Sequence, residues 1–467
     1  MLYNLELALY CLLSVSLLMM AFQRPIWAVA FYLLNYFAQP PYWPWGGPLP
    51  LSMRWSLFAG FVLLSAIALR GRRSELRSDS DQSRITWCIL LMLANATVVH
   101  YAMARYVDES FDVYIEMVKF VVLFFLIVAA VTSRRDFFLF VWFLAIGLGY
   151  WGFEAWIRGE AVLDQGRLEN FGGPGCDNSN ELASITVTLL AIIGGMVFVV
   201  KGMKKLVITG CTIFGLNIMM LCNSRGGFAS LIAVGLTVPM VASGKARRLA
   251  VRGLLLGTVA VLLLAGNPEI MDRFFSSLQT RAEAERKGMR AVIDVVNVES
   301  RIEMWDAGFD LVSDHPFGNG GEAFNSDFGN EYLIKNRSLW RYRSVHQGFI
   351  DEAIEWGLQG LVLRMALIAA AVCCAYRTMH FRRRIGDEQM ALFGACLIGG
   401  FSGWLASCLF GEFMHLEWGY WLLALAAAYG KIFGQTNYGI LKDTLVEQTD
   451  VHSEEAEMGG QTAAARV

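Results

Sequence analysis

The chain has 467 residues, 55% of them hydrophobic and 17% charged. Soluble domains carry roughly 25% charged residues, so an ordinary soluble protein is excluded. A formal net charge of -2 also lacks the strongly basic footprint of a nucleic-acid binder, so no nucleic-acid partner is expected.

Apolar runs begin near Leu5, Ile26, Leu51, Ile85, Val113, Phe137, Glu181, Leu206, Phe228, Leu249, Gly348, Ala391 and Leu416. Most are long enough to cross ~30 Å of hydrocarbon as helices; the run at Ile26 is short and suits a re-entrant segment as well. They predict an all-α, polytopic fold of about 12–13 transmembrane helices. The first run, Leu5 to Phe22, has no basic n-region and no A-x-A-like cleavage site, so it reads as a retained span. Eight of the nine cysteines lie in or beside apolar runs, Cys176 alone lies in a polar loop, and no CxxC pair exists. Neither a disulfide framework nor a zinc site is indicated.

Basic groups fall in alternate loops: Arg24; Arg70, Arg72, Arg73, Arg77 and Arg84; Arg134 and Arg135; Lys201, Lys204 and Lys205; Lys245, Arg247 and Arg248; Arg377 and Arg382 to Arg384. All can then be cytoplasmic at once, with the N-terminus outside and the acidic tail inside. The expected organisation is N-terminal helices over 1–265, a large outer loop over 266–347, C-terminal helices over 348–433 and a disordered tail over 434–467. Trp43, Trp45, Trp151, Trp156, Trp418 and Tyr420 lie at span ends and read as an interfacial belt. No internal repeat is visible.

The outer loops carry the polar chemistry. Trp156 to Asn180 contains Arg167, then a Gly172-Gly173-Pro174-Gly175 turn, then Asp177, Asn178 and Asn180 as helix caps. Ser224-Arg225-Gly226-Gly227 interrupts apolar sequence between two spans. An arginine at membrane depth is costly and usually functional, and glycines let backbone N–H groups approach a ligand. Arginine also binds phosphate bidentately. A snorkelling arginine in a short turn is the alternative reading.

Within Gly266 to Gln347, Ser300-Arg301-Ile302-Glu303 has the form of a capping box. Ile302, Trp305, Phe309 and Val312 follow at helical spacing. His315-Pro316 ends that helix, and a tight turn through Gly318 and Gly320 follows. Arg337, Arg341 and Arg343 precede His346, which opens a long apolar helix. His315 reads as structural, whereas His346 sits where a base meets substrate at the membrane surface. Glu412 and His415, three apart, would share a helix face, but one such pair more often forms a polar rim than a metal site.

Ser224-Arg225-Gly226-Gly227, Arg301 with Trp305, His315-Pro316 with Gly318, Gly320 and Phe324, and His346 leading to Glu355-Trp356-Gly357 together resemble the O-antigen ligase and polymerase superfamily. Arg24-Pro25, Asn35 to Pro44 and the Gly-Pro-Gly loop after Arg167 resemble its exosortase-associated O-glycosylation ligase branch. The resemblance implies a GT-C-type glycosyltransferase of the bacterial inner membrane, with its site facing the periplasm. It implies neither metal nor cofactor. The donor would be an undecaprenyl diphosphate-linked glycan in the lipid bilayer, and the acceptor a periplasmic lipid, protein or growing glycan. Envelope polysaccharide or exosortase machinery would be its partners. Arg167, Arg225 and Arg301 match the arginines thought to hold the diphosphate, and His346 matches the histidine thought to assist the acceptor hydroxyl. Ser224, Gly226, Gly227, Gly318, Gly320 and Glu355 support them. Two features depart from the family: His346 is followed by Gln347 where Asn is usual, and better-known ligases have twelve spans.

A small-anion transporter and a non-enzymatic assembly scaffold are the competing readings. A transporter should show broken helices and mid-membrane ionisable residues; the sequence places its ionisable residues at one face.

The alternation of basic loops makes a labelling prediction. A cysteine introduced within 266–347 should react with an impermeant thiol reagent in intact cells, and one within 71–84 should not. The reverse pattern would overturn the orientation.

Overall fold

The computed structural model describes residues 2–50, 52–70, 80–159, 163–164, 166–176, 178–264, 289–337 and 344–435. Arg72, Arg73, Arg77, Asp177, Arg341, Arg343, the segment 265–288, the Arg337 side chain and the tail fall outside the described residues. Ten helices precede the large loop: α1 (Leu2–Ala21), α2 (Ile26–Phe37), α3 (Trp55–Arg70), α4 (Ser80–Met103), α5 (Val107–Ala130), α6 (Arg134–Arg158), α7 (Ser179–Val199), α8 (Met203–Cys222), α9 (Arg225–Val241) and α10 (Gly244–Leu264). The loop holds α11 (Met289–Asp314) and α12 (Asp327–Arg337). Then come α13 (Gly348–Arg384), α14 (Glu388–Ser407) and α15 (Glu417–Phe433).

The chain is therefore all-α and polytopic. Each expected span corresponds to a helix, and among the described residues eight helices are long and apolar enough to cross a membrane. The only sheet among the described residues is a two-stranded hairpin, β1 (Leu163–Asp164) and β2 (Arg167–Leu168), with Asp164 opposite Arg167.

Most helices lack a polar face of any extent, and α7, α14 and α15 are buried along nearly their whole length. Small residues let them touch: a Cβ on Gly403 of α14 would stand 2.7 Å from Val234 of α9 and 3.0 Å from Val187 of α7. In lipid, where apolar surface gains nothing by leaving its surroundings, such backbone approach is what holds helices together. The aromatic belt needs correcting. Trp43, Trp45, Trp151, Trp418 and Tyr420 are buried between helices, and only Trp156 of the set is exposed. Trp43 lies under the Arg158 guanidinium at 4.7 Å, so its ring serves packing and cation–π contact.

Among the described residues, several cations of the basic loop groups and of the end of α15 are tied to neighbouring helices. Arg24 pairs with Asp136 at 2.6 Å, Arg377 pairs with Asp81, and Lys431 donates to the Val128 and Val131 carbonyls. Arg382 donates to the Phe433 carbonyl at 2.7 Å.

The large loop forms a cap with a hydrophobic core of its own, built by Met304, Ala307, Leu311, Leu333, Val345, Ile350 and Ile354. Two expectations fail there. Ser300 to Glu303 is no helix start, because α11 begins at Met289 and runs through it. Ile302 and Phe309 are exposed, and the buried stripe is Met304, Ala307 and Leu311. The periodicity was helical, but the neighbouring face won the packing because Gly308 lies flush against Ile350 and Val345.

α13 breaks at Gly357, whose φ of 79° and ψ of 170° lie far from helical values. The loop Pro316–Gly320 fills the break. Leu358 donates to the Pro316 carbonyl, and Asn319 and Gly320 donate to the carbonyls of Ile354 and Glu355. The Gln359 amide donates to the Phe317 carbonyl at 2.8 Å. Backbone groups freed by the break are thus satisfied by the chain itself, as a water-poor setting demands.

Ionisable groups are not confined to one face, as the sequence suggested. Beyond the break, Arg364 is fully buried, donates to Glu352 at 3.0 Å and to the Tyr420 hydroxyl at 3.0 Å, and so ties α13 to α15. Removing one partner strands a buried charge. Glu352→Ala should cost about 3–5 kcal/mol, read as a fall in unfolding temperature in detergent. The pair replacement Glu352→Leu with Arg364→Met should cost less than either single change; a double variant worse than both would refute this assignment.

Candidate functional site

The site forms at the loop end, from two halves. The first is built on helix ends. Asn178 caps α7 in a full capping box with Glu181, and its side chain accepts from the Asn180 and Glu181 N–H groups. Such caps are typically worth ~1 kcal/mol. Glu169 fixes the same helix end, accepting from Ser179 Oγ at 2.6 Å and Ser179 N at 3.0 Å. This places Asn180 as a hub: its Oδ1 accepts from Arg167 Nη2 at 3.0 Å and from Ser224 Oγ at 2.8 Å. Arg167 also donates to the Cys222 carbonyl at 3.2 Å and faces Glu169 at 3.5 Å.

Asn223 takes the left-handed conformation, with φ 45°, and ends α8. Ser224 then caps α9, its Oγ accepting from Gly227 N at 3.2 Å. Arg225, Gly226 and Gly227 are the first residues of α9 and have no positive φ. The expected backbone freedom is therefore not what the glycines supply. They supply space: a Cβ on Gly226 would meet Phe410 at 2.8 Å, and one on Gly227 would meet Ala183 and Met219 at 2.8 Å.

Arg301 reaches this place from α11. Its guanidinium is pushed below the ordinary arginine range, first by burial and then by repulsion from Arg225 and Arg167. Arg225 and Arg167, far from Arg301 along the chain, thus both lie close enough to Arg301 to disfavour its charge. The N-terminal end of α9, with its partial positive charge, lies at the same place.

The second half surrounds His346. Its backbone has φ 53°, a left-handed value uncommon for a side-chain-bearing residue. Two acceptors hold it there: His346 N donates to Glu412 Oε1 at 2.9 Å and to Ser344 Oγ at 3.2 Å. Ser344 Oγ lies 3.1 Å from His346 Nδ1 and donates to Glu412 Oε1 at 2.5 Å. His346 does not cap α13. Gln347 does, its Oε1 accepting from Ile350 N at 2.6 Å, which is the job an Asn at that position would do.

Glu412 and His415 sit in the non-helical loop between α14 and α15, so the helix-face spacing does not apply. Burial pushes the Glu412 carboxyl up, against the hydrogen bonds from Ser344, His346 and Val345. Burial, then Arg364, pushes the His415 imidazole down to about 4, so its 4.0 Å approach to Asp351 is no ion pair near neutrality. Among the described residues, no group of His, Cys, Asp or Glu is placed to hold a metal ion.

One loop joins the halves. Phe410 packs on Gly226, Cys408 accepts from Gly348 N at 2.7 Å, and Glu412 holds His346. Gly318 and Gly320 lie in the turn that docks on α13, where Glu355 sits. Both glycines have positive φ, at 99° and 93°. Buried Glu355 accepts from Glu322 N at 2.7 Å, fixing the glycine turn on α13.

Residues 210–365, from α8 into α13, match the O-antigen ligase family model. This match supports the O-antigen ligase-like superfamily for the chain. Arg225, Arg301 and His346 lie inside the matched segment, and Arg167 and Glu412 lie outside it. No curated protein matches the chain. The match, together with eight apolar helices long enough to cross a membrane among the described residues, supports an O-antigen ligase/polymerase-type multi-pass membrane enzyme.

Sequence reasoning missed three residues of the candidate site. Asn180 was only a cap candidate, Ser344 gave no signal, and Glu412 was noticed for a helical spacing that does not exist. The turn itself is testable. A Cβ on Gly318 would stand 2.7 Å from Gly357 N and 2.8 Å from the Glu355 carbonyl, backbone atoms that cannot swing aside. Gly318→Ala should therefore destabilise by about 2 kcal/mol or more, seen in thermal unfolding. An unchanged unfolding temperature would contradict the docking of this turn.

Proposed function

We propose that this protein transfers a glycan from an undecaprenyl diphosphate carrier to an acceptor hydroxyl at the periplasmic face of the bacterial inner membrane. The observation that carries the reading is the meeting of Arg167, Arg225 and Arg301 at the end of α9. A helix N-terminus that begins with Arg225, with Arg167 and Arg301 close by, suits a multiply charged anion. A diphosphate offers oxygens that planar guanidinium groups can grip bidentately, each charge-assisted bond worth roughly 1.5–3 kcal/mol. The site opens from transmembrane helices, which suits an anion on a lipid chain.

The same cations answer the chemistry. As the acceptor oxygen attacks the anomeric carbon, the bond from that carbon to the diphosphate oxygen breaks and its electron pair goes to the diphosphate. The arginines stabilise the charge that develops there. His346 takes the acceptor's proton, a role typically worth ~10² to 10⁴ in rate. A single displacement inverts the anomeric centre. Ligase and polymerase share this chemistry and differ in the acceptor, which is a lipid, a protein or a growing glycan. An envelope polysaccharide or exosortase system is the natural setting. A transporter reading draws on the break in α13 and the buried Arg364–Glu352 pair. The break is filled by the Pro316–Gly320 loop instead of lining a passage, which favours the enzyme.

Substitution separates grip from chemistry. Arg225→Lys should lose transfer almost as fully as Arg225→Ala, because a point charge does not reproduce the bidentate geometry. His346→Gln should retain donor binding and membrane accumulation but lose transfer by ~10² or more. Transfer by the purified protein should persist in EDTA. Near-normal transfer by His346→Gln, or strict dependence on added divalent metal, would reject this mechanism.

A further inference from the structure

We infer that Ser344 and Glu412 are positioning residues that fix His346 in its Nδ1–H tautomer, leaving Nε2 as the nitrogen that accepts the substrate proton. The inference rests on the reading of His346 as base and adds the groups that aim it.

The argument is an inventory of protons. Glu412 Oε1 accepts the backbone N–H of His346 at 2.9 Å, and a backbone donor cannot reverse. An ionised carboxylate oxygen only accepts. Ser344 Oγ, 2.5 Å away, must therefore spend its single proton on Oε1. Its remaining capacity is two lone pairs. One faces His346 N at 3.2 Å, and the other faces His346 Nδ1 at 3.1 Å. A hydroxyl with no proton left can only accept, so Nδ1 must carry the hydrogen. In a neutral imidazole the other nitrogen then holds the lone pair. The order Nδ1–H to Ser344 to Glu412 runs in one direction only.

Backbone geometry makes the same point. A left-handed φ at a histidine costs free energy and persists only where its surroundings over-determine it. Here the groups that hold the strained backbone, Ser344 Oγ and Glu412 Oε1, also orient the ring. They come from opposite sides, Ser344 from the end of the cap and Glu412 from the α14–α15 loop, so ring orientation reports whether the cap is docked on the helices. Glu322 lies close enough to Glu412 to repel it, and Asp351 feels Glu412, Glu322 and Glu355. Acidic surroundings suit a site that must stabilise an imidazolium once the proton has moved.

The tautomer can be read without substrate. Full-length protein with ¹⁵N-histidine, reconstituted in liposomes, gives distinct imidazole nitrogen shifts for the two neutral forms. His346 is identified among the six histidines by its loss in His346→Gln. Wild type should show Nδ1–H. Ser344→Ala should shift His346 toward Nε2–H and lower transfer at least tenfold with the donor KM little changed, whereas Ser344→Thr should restore both. Glu412→Gln should keep the Nδ1–H signal, because its amide oxygen accepts the same protons, and Glu412→Leu should lose it. An Nε2–H form in wild type, or a tautomer indifferent to Ser344→Ala, would overturn the inference. So would full transfer in Ser344→Ala while His346→Gln is dead. Full transfer in His346→Gln would instead overturn the base reading and leave the tautomer standing or falling by its own spectrum.

Discussion

A buried guanidinium, Arg301, held near two others, Arg225 and Arg167, is the constraint on which the rest of this protein turns. Like charges in a half-buried site separate unless something fixes them, and here each is fixed by a different device. Arg167 is tied to a carbonyl, an amide oxygen and Glu169. Arg225 is set by the capped first turn of α9. Arg301 rides on α11, whose packing on α13 decides where it sits. An anion entering beside Arg301 would relieve that repulsion.

Delivering Arg301 and His346 to that place is the work of the broken helix. The turn at Gly357 opens backbone groups of α13 on which the Pro316–Gly320 loop docks. With it, the cap docks by backbone hydrogen bonds as well as by its small apolar core. The same docking brings Ser344 within reach of Glu412. Ser344 and Glu412 thus turn cap position into ring orientation at His346, and a remote glycine turn becomes part of the chemistry.

Much of this was legible in the sequence, for definable reasons. Long apolar runs leave few options in lipid, so the helices follow from length alone. Arg225 stood out because charge inside apolar sequence is costly, and Gly318 and Gly320 because adjacent glycines punctuate a chain. What was not legible depends on tertiary partners. Ile302 and Phe309 had the right period but the wrong face, since Gly308 allows closer packing on its own side. The tryptophans at span ends were buried by neighbouring helices. Ser344 carries no pattern, and it gains its role from a loop 68 residues away. The ion pair of Arg364 and Glu352 is twelve residues apart across the break, outside any helical spacing rule.

The central claim is that arginines from three separate elements grip one anion. A double-mutant cycle on binding tests it most directly, with affinity for undecaprenyl diphosphate measured for wild type, Arg225→Ala, Arg301→Ala and the double variant. If both groups hold one diphosphate, the losses will be strongly non-additive, with a coupling of about 1 kcal/mol or more. Losses that simply add, or affinity that ignores either residue, would show that these arginines do not form a single site.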